Sequence, residues 1–139
     1  MRVDRRRRAR ELAVQGLCQL DVQGSDILEQ LNGFFLENEP DESTRRLASD
    51  WSKGTWENVR ECDELITASI MKWDLSRLSF VDKNILRLAV YQLRFCPDIP
   101  PRVAINEALE LAKKFGSAKS SAFVNGVLDS IFKKIKTKE

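Results

Sequence analysis

An all-α fold is what the 139-residue sequence predicts. Apolar residues recur every three or four positions along most of the chain. No stretch alternates apolar and polar residues as a half-buried strand would. With 6 Gly and 4 Pro, little of the chain reads as disordered. A hydrophobic fraction of 42% and a charged fraction of 32% are those of a globular domain, long enough to bury a core without disulfides or metal. Together these features predict a compact bundle of about six or seven helices.

In the first helix, Ala9, Leu12, Ala13, Gly16, Leu17 and Leu20 make one apolar stripe, and Gly24 ends it. Asp26 with Glu29 reads as a capping box for a second helix that carries Ile27, Leu28, Leu31, Phe34 and Phe35. Residues 37–41, with Pro40, read as a loop. A long helical pattern over about 43–73 carries Leu47, Trp51, Val59, Leu65, Ile66 and Ile70, with Gly54 as its point of interruption. Residues 73–76 form a short connection, and Ser79 with Asp82 is a second capping box. The helix behind it, to about Phe95, holds Ile85, Leu86, Leu88, Ala89, Val90 and Leu93. It is apolar around most of its circumference, which predicts the most buried helix. Pro97 breaks the pattern, and Pro100 or Pro101 opens the next helix. There Ala104, Ile105, Ala108, Leu111, Ala112 and Phe115 form a stripe, and Gly116 reads as a left-handed cap. A last helix from about Ser117 turns Val124, Val127, Leu128, Ile131, Phe132 and Ile135 inward.

Several enzyme chemistries lack their usual residues here. There is no histidine, which removes the Ser-His-Asp and Cys-His arrangements and the commonest metal ligand. Cys18, Cys62 and Cys96 are odd in number and widely spaced. They suggest neither a disulfide framework nor a zinc site, and they fit a reducing cytoplasm. No glycine-rich phosphate loop occurs. No apolar run reaches a membrane span, and the arginine-rich start lacks the apolar segment of a signal peptide. The sequence therefore predicts no catalytic residues, no metal and no cofactor.

Net charge is +2, but its distribution is uneven. Arg5, Arg6, Arg7, Arg8 and Arg10 crowd one end, Lys133, Lys134, Lys136 and Lys138 the other, and an acidic stretch over 37–42 lies between. The arginines precede the apolar stripe and need not pack inward. Positive charge at a helix N-terminus opposes the macrodipole, so its repetition points to an anionic ligand. Arginine's planar fork suits phosphate. The alternative is a solvated helix start. On the last helix, Phe123 lies more than about 90° off the apolar stripe, on the side of Lys119, Ser130 and Lys134. An aromatic flanked by lysines suits base stacking, and packing against a neighbouring helix is the competing reading. On the central helix, Lys83, Arg87, Tyr91 and Arg94 follow helical spacing behind Asp82, as a protein-docking face or a solvated one.

Several strings taken together resemble one family. Arg6-Arg7-Arg8-Ala9-Arg10-Glu11 with Ala13-Val14-Gln15 is similar to the opening of the NusB family of bacterial transcription antitermination factors. Leu75-Ser76-Arg77-Leu78, Val81-Asp82-Lys83 and Ile85-Leu86-Arg87-Leu88-Ala89-Val90-Tyr91 resemble its central segment. Val103-Ala104-Ile105-Asn106-Glu107-Ala108, Ala112-Lys113, Phe115-Gly116 and Phe123-Val124-Asn125-Gly126-Val127-Leu128 resemble its C-terminal half. The order is collinear, and only residues 24–63 match loosely. The resemblance implies two antiparallel helical subdomains, at about 1–75 and 76–139. It implies binding of the boxA element of ribosomal RNA leader transcripts together with NusE, a small-subunit ribosomal protein, to help RNA polymerase read through terminators. By position it implies Arg6, Arg7, Arg8, Arg10, Lys119 and Phe123 as RNA-facing residues, to which the arginine run adds Arg5, and partner-facing residues around Asp82, to which the polar face of the central helix adds Lys83 and Arg87. Where the family often carries an aromatic, this chain has Cys18. A similar domain also precedes RNA cytosine methyltransferases, but 139 residues leave no room for a catalytic domain. A protein-interaction bundle is the third reading, and RNA binding distinguishes it from the first.

Overall fold

The computed structural model describes residues 2–70 and 74–138. Among them are seven α-helices and two short 3-10 turns, which is the all-α architecture the periodicity predicts. Two compact units divide the chain, Met1–Glu57 and Asn58–Glu139.

The first unit is built around α1 (Arg2–Gln23), with α3 (Glu42–Glu57) lying along it and α2 (Leu31–Asn38) against both. The whole predicted stripe, from Ala9 to Leu20, is buried. Each fully buried leucine of that stripe contributes about 1.5–3 kcal/mol. Gly24 ends α1 at φ 88°, where a side chain would be strained, and its N–H donates to the Leu20 carbonyl at 2.7 Å. The segment after it is a 3-10 turn, Ser25–Gln30, and not the start of an α-helix. Gly24 takes the N-cap position without a side-chain bond, so the Asp26 capping box does not form. Asp41 does cap a helix. Its Oδ2 accepts from the Thr44 N–H at 2.9 Å and the Thr44 hydroxyl at 2.7 Å, which satisfies a donor that the first turn of α3 would otherwise leave open.

The long pattern after it breaks at Asn58, not at Gly54, which lies inside α3. The second unit begins there, with α4 (Val59–Ile70), a 3-10 turn at Leu75–Arg77, α5 (Phe80–Phe95), α6 (Pro101–Phe115) and α7 (Ser120–Lys138). The expected boundary near 75 differs from this division because α4 packs on α5 and α7. Trp73 and the side chain of Lys138 lie outside the described residues.

Helix α5 touches α4, α6 and α7, and every residue from 84 to 90 is buried. Ser79 caps it as expected, its Oγ accepting from the Asp82 N–H at 3.0 Å. Pro101 opens α6 behind Pro100. Gly116 closes it in an extended conformation, φ −93°, and not the left-handed cap expected. Its reason for being glycine is space: a Cβ there would stand 2.5 Å from the Ser120 Oγ and 2.7 Å from the Ala112 carbonyl oxygen. The Ser120 hydroxyl in turn accepts from the Ser117 N–H at 2.9 Å, and α7 begins at Ser120. Val124, Val127, Leu128 and Ile131 are buried as predicted, and Phe132 and Ile135 partly so. No helix among the described residues is long and apolar enough to cross a membrane.

Candidate nucleic-acid and partner interfaces

The five N-terminal arginines do not form one uniform face. Arg10 is only 3% exposed, and its guanidinium carbon sits 4.8 Å from the centre of the Trp51 ring on α3. A desolvated cation over an indole is held by the ring quadrupole, and its stem packs as an apolar chain. Arg10 therefore belongs to the core of the first unit, which corrects the expectation that it faces RNA.

Arg5 and Arg8, one turn apart on α1, both reach the acidic loop between α2 and α3. The Arg8 guanidinium donates through Nε to Glu39 at 3.4 Å, through Nη1 to Glu11 at 3.2 Å and through Nη2 to the Asn38 carbonyl at 3.1 Å. Arg5 pairs with Asp41 at 3.1 Å. The loop is itself tied down: Arg45 donates to the carbonyls of Glu39 and Pro40 at 2.8 and 2.7 Å, and Glu39 accepts from the Asp41 N–H at 3.0 Å. These carboxylates offset the helix-dipole cost of cations in the first turns of α1. Arg6 is exposed and Arg7 half-buried. At 100° per residue they project about 180° away from the mean direction of Arg5 and Arg8. The acidic stretch was visible in the sequence, but nothing in it paired Asp41 or Glu39 with arginines more than 30 positions away.

In the second unit, Phe123 is half-buried and Lys119, one turn before it, is exposed. The side of α7 they share does not continue open to the C-terminus. Lys134 Nζ donates to the Ala68 carbonyl at 2.8 Å and the Ser69 hydroxyl at 3.1 Å, and Ser130 meets Ser69 at 3.4 Å, so α4 covers that half. Lys113 and Lys114, in the last turn of α6, are also exposed. Sequence reasoning passed over them because basic residues in a last helical turn already have an explanation in the dipole.

At the start of α5, Asp82 and Lys83 are half-buried, and Lys83 Nζ lies 5.0 Å from the ring centre of Phe80, itself 50% exposed. Arg87 is different. It is 6% exposed, and its Nε and Nη2 donate to the two Asp63 carboxylate oxygens at 2.7 and 2.8 Å, with Nη1 on Asn84 Oδ1 at 3.2 Å. The expected partner-facing role of Arg87 is thereby corrected to an internal one, bracing α4 on α5.

The cysteines offer no nucleophile in the core. Burial first, then the Asp63 and Glu61 carboxylates, push the Cys62 thiol up to about 12, so it stays protonated. Cys18 is half-buried on α1. Among the described residues no three Cys, Asp or Glu side chains come together as a metal site would need.

Residues 7–133 match the model of the NusB family. A transcription antitermination protein NusB from Desulfatibacillum aliphaticivorans is 45% identical over 127 residues, 91% of this chain and 89% of the relative. The solved structure of T. maritima NusB aligns at a TM-score of 0.83 and 40% identity, over 96% of this chain and 97% of the other. A structure of the antitermination factors NusB and NusE in complex with double-stranded RNA contains a chain that aligns at a TM-score of 0.84 and 28% identity, over 94% of this chain and 98% of that one.

Proposed function

The chain belongs to the NusB family, and from that premise we propose that it is a bacterial transcription antitermination factor. It binds boxA-type RNA of nascent ribosomal RNA transcripts together with NusE, within an RNA polymerase antitermination complex in the cytoplasm. The observation that carries this reading is the end-to-end likeness to NusB chains, including one in a complex with NusE and double-stranded RNA. It works by binding and not by catalysis, in keeping with a chain without histidine whose buried thiol is held protonated.

Two surfaces supply the RNA contacts in this reading. One is the start of α1, where Arg5, Arg6, Arg7 and Arg8 serve phosphate, Arg5 and Arg8 from positions beside carboxylates. The other is the start of α7, where Phe123 offers a half-exposed ring beside Lys119. Asp82 and Lys83, at the start of α5, serve NusE. Replacing both Arg6 and Arg7 by Ala tests the first surface. Two lost phosphate contacts flatten the log–log dependence of single-stranded RNA affinity on salt by about 1.4. The loss should be similar for boxA and unrelated RNAs, because phosphate contacts carry little sequence information. A slope equal to that of the wild type would remove these arginines from the interface.

A further inference from the structure

Arg5 and Arg8 are held by the same loop in two physically different ways. The Arg8 pairs are sheltered: side-chain exposure is 10% for Glu11 and 15% for Glu39, and three guanidinium nitrogens are engaged. Moving Arg8 would break its pairs with two nearly buried carboxylates, which is costly. The Arg5–Asp41 pair is open on both sides, with side-chain exposures of 46% and 42% and Arg5 Nε 3.1 Å from Asp41 Oδ2. Asp41 would not be stranded if Arg5 left. Its Oδ2 also accepts from the Thr44 hydroxyl and the Thr44 N–H, and those bonds, ahead of Arg5, hold its carboxyl below the usual carboxylate range. Asp41 is thus anchored and ionised with or without Arg5, while Arg5 is weakly held.

We propose that Asp41 is an affinity-determining residue of the RNA site, an internal competitor that RNA phosphate must displace from Arg5. The proposal rests on the RNA-binding reading above. When RNA binds, Arg5 exchanges one oxyanion for another, and the released Asp41 takes up a cation from solution. That uptake cancels part of the counterion release that drives association, so wild-type binding is weaker and less salt-dependent than its count of arginines implies.

Asp41→Asn isolates the charge. Asparagine is as good an N-cap as aspartate, so the Thr44 bonds keep an acceptor. Asp41→Ser also keeps an acceptor without the charge and serves if the amide disturbs the loop. Thermal melting first verifies that α3 remains capped. Fluorescence anisotropy with a single-stranded boxA oligonucleotide then reads affinity from low to high salt for the wild type, D41N, Arg5→Ala and the R5A/D41N double variant. D41N is expected to bind about two- to fivefold tighter at low salt, the scale of one exposed ion pair. Its log–log slope should be steeper by up to about 0.7. In the R5A background the same change should do nothing to either quantity, because no arginine is left to release.

A gain that persists without Arg5 would mean that Asp41 merely repels RNA at long range, and the proposal would fall. Unchanged or weaker binding by D41N would also overturn it. If neither wild type nor D41N binds the oligonucleotide, the RNA-binding reading itself fails, and the competition fails with it.

Discussion

Arg87→Ala is expected to cost about 3 kcal/mol of stability. The substitution leaves Asp63 packed against α5 without its bidentate partner, and breaking a buried pair from one side costs about 3–5 kcal/mol. The Asp63 side chain is 25% exposed, which places the effect at the low end of that range. For a chain of this size such a loss lowers the melting temperature by about 10 °C. Replacing both partners by apolar residues, Arg87→Met with Asp63→Leu, should recover most of the loss, because no buried charge is then left alone. Thermal and urea unfolding of the two variants beside the wild type decides the matter. A single variant as stable as the wild type, with weaker NusE binding, would return Arg87 to the partner surface.

The second large effect falls on RNA. Phe123→Ala is expected to weaken binding by about 1–3 kcal/mol, the contribution of one base–aromatic stack, or about five- to 150-fold. The ring is half-buried, so its removal costs less stability than the 3–5 kcal/mol of a fully buried phenylalanine. Val127→Ala, at a position 5% exposed on the inward stripe of α7, is the converse control. It should lower the melting temperature and leave the affinity of the folded protein unchanged. A Phe123→Ala protein that is much less stable yet binds RNA normally while folded would assign the ring to packing alone.

The contrast between Phe123 and Arg87 shows what periodicity can and cannot reveal. The stripe of α1 and the buried run of α5 were legible because apolar side chains have one place to go, and spacing reports which face they share. Polar residues on the remaining faces have two destinations, water or a partner on another helix, and spacing is silent on which. Arg10 and Arg87 went to partners, Trp51 and Asp63, that lie 41 and 24 positions away. One hint was present for Arg87: a helix apolar around most of its circumference has little solvated face, so a charge within it requires a counter-charge. Boundaries failed for local reasons. The cap predicted at Asp26 was pre-empted by Gly24, and Gly116 is glycine because Ser120 crowds it and not because its backbone is left-handed. The acidic loop at 37–42 was visible as a charge run, but its role in holding Arg5 and Arg8 emerges only when α1 and α3 lie side by side.

Sequence-selective RNA binding in company with a protein partner is tested by titrating a boxA oligonucleotide and a scrambled oligonucleotide of the same composition, each with and without purified NusE, at one physiological salt concentration. Tighter binding of boxA than of the scrambled RNA, with the preference and the affinity both increased by NusE, is the predicted result. Equal binding of the two RNAs that NusE does not change, or no binding of either, would contradict it.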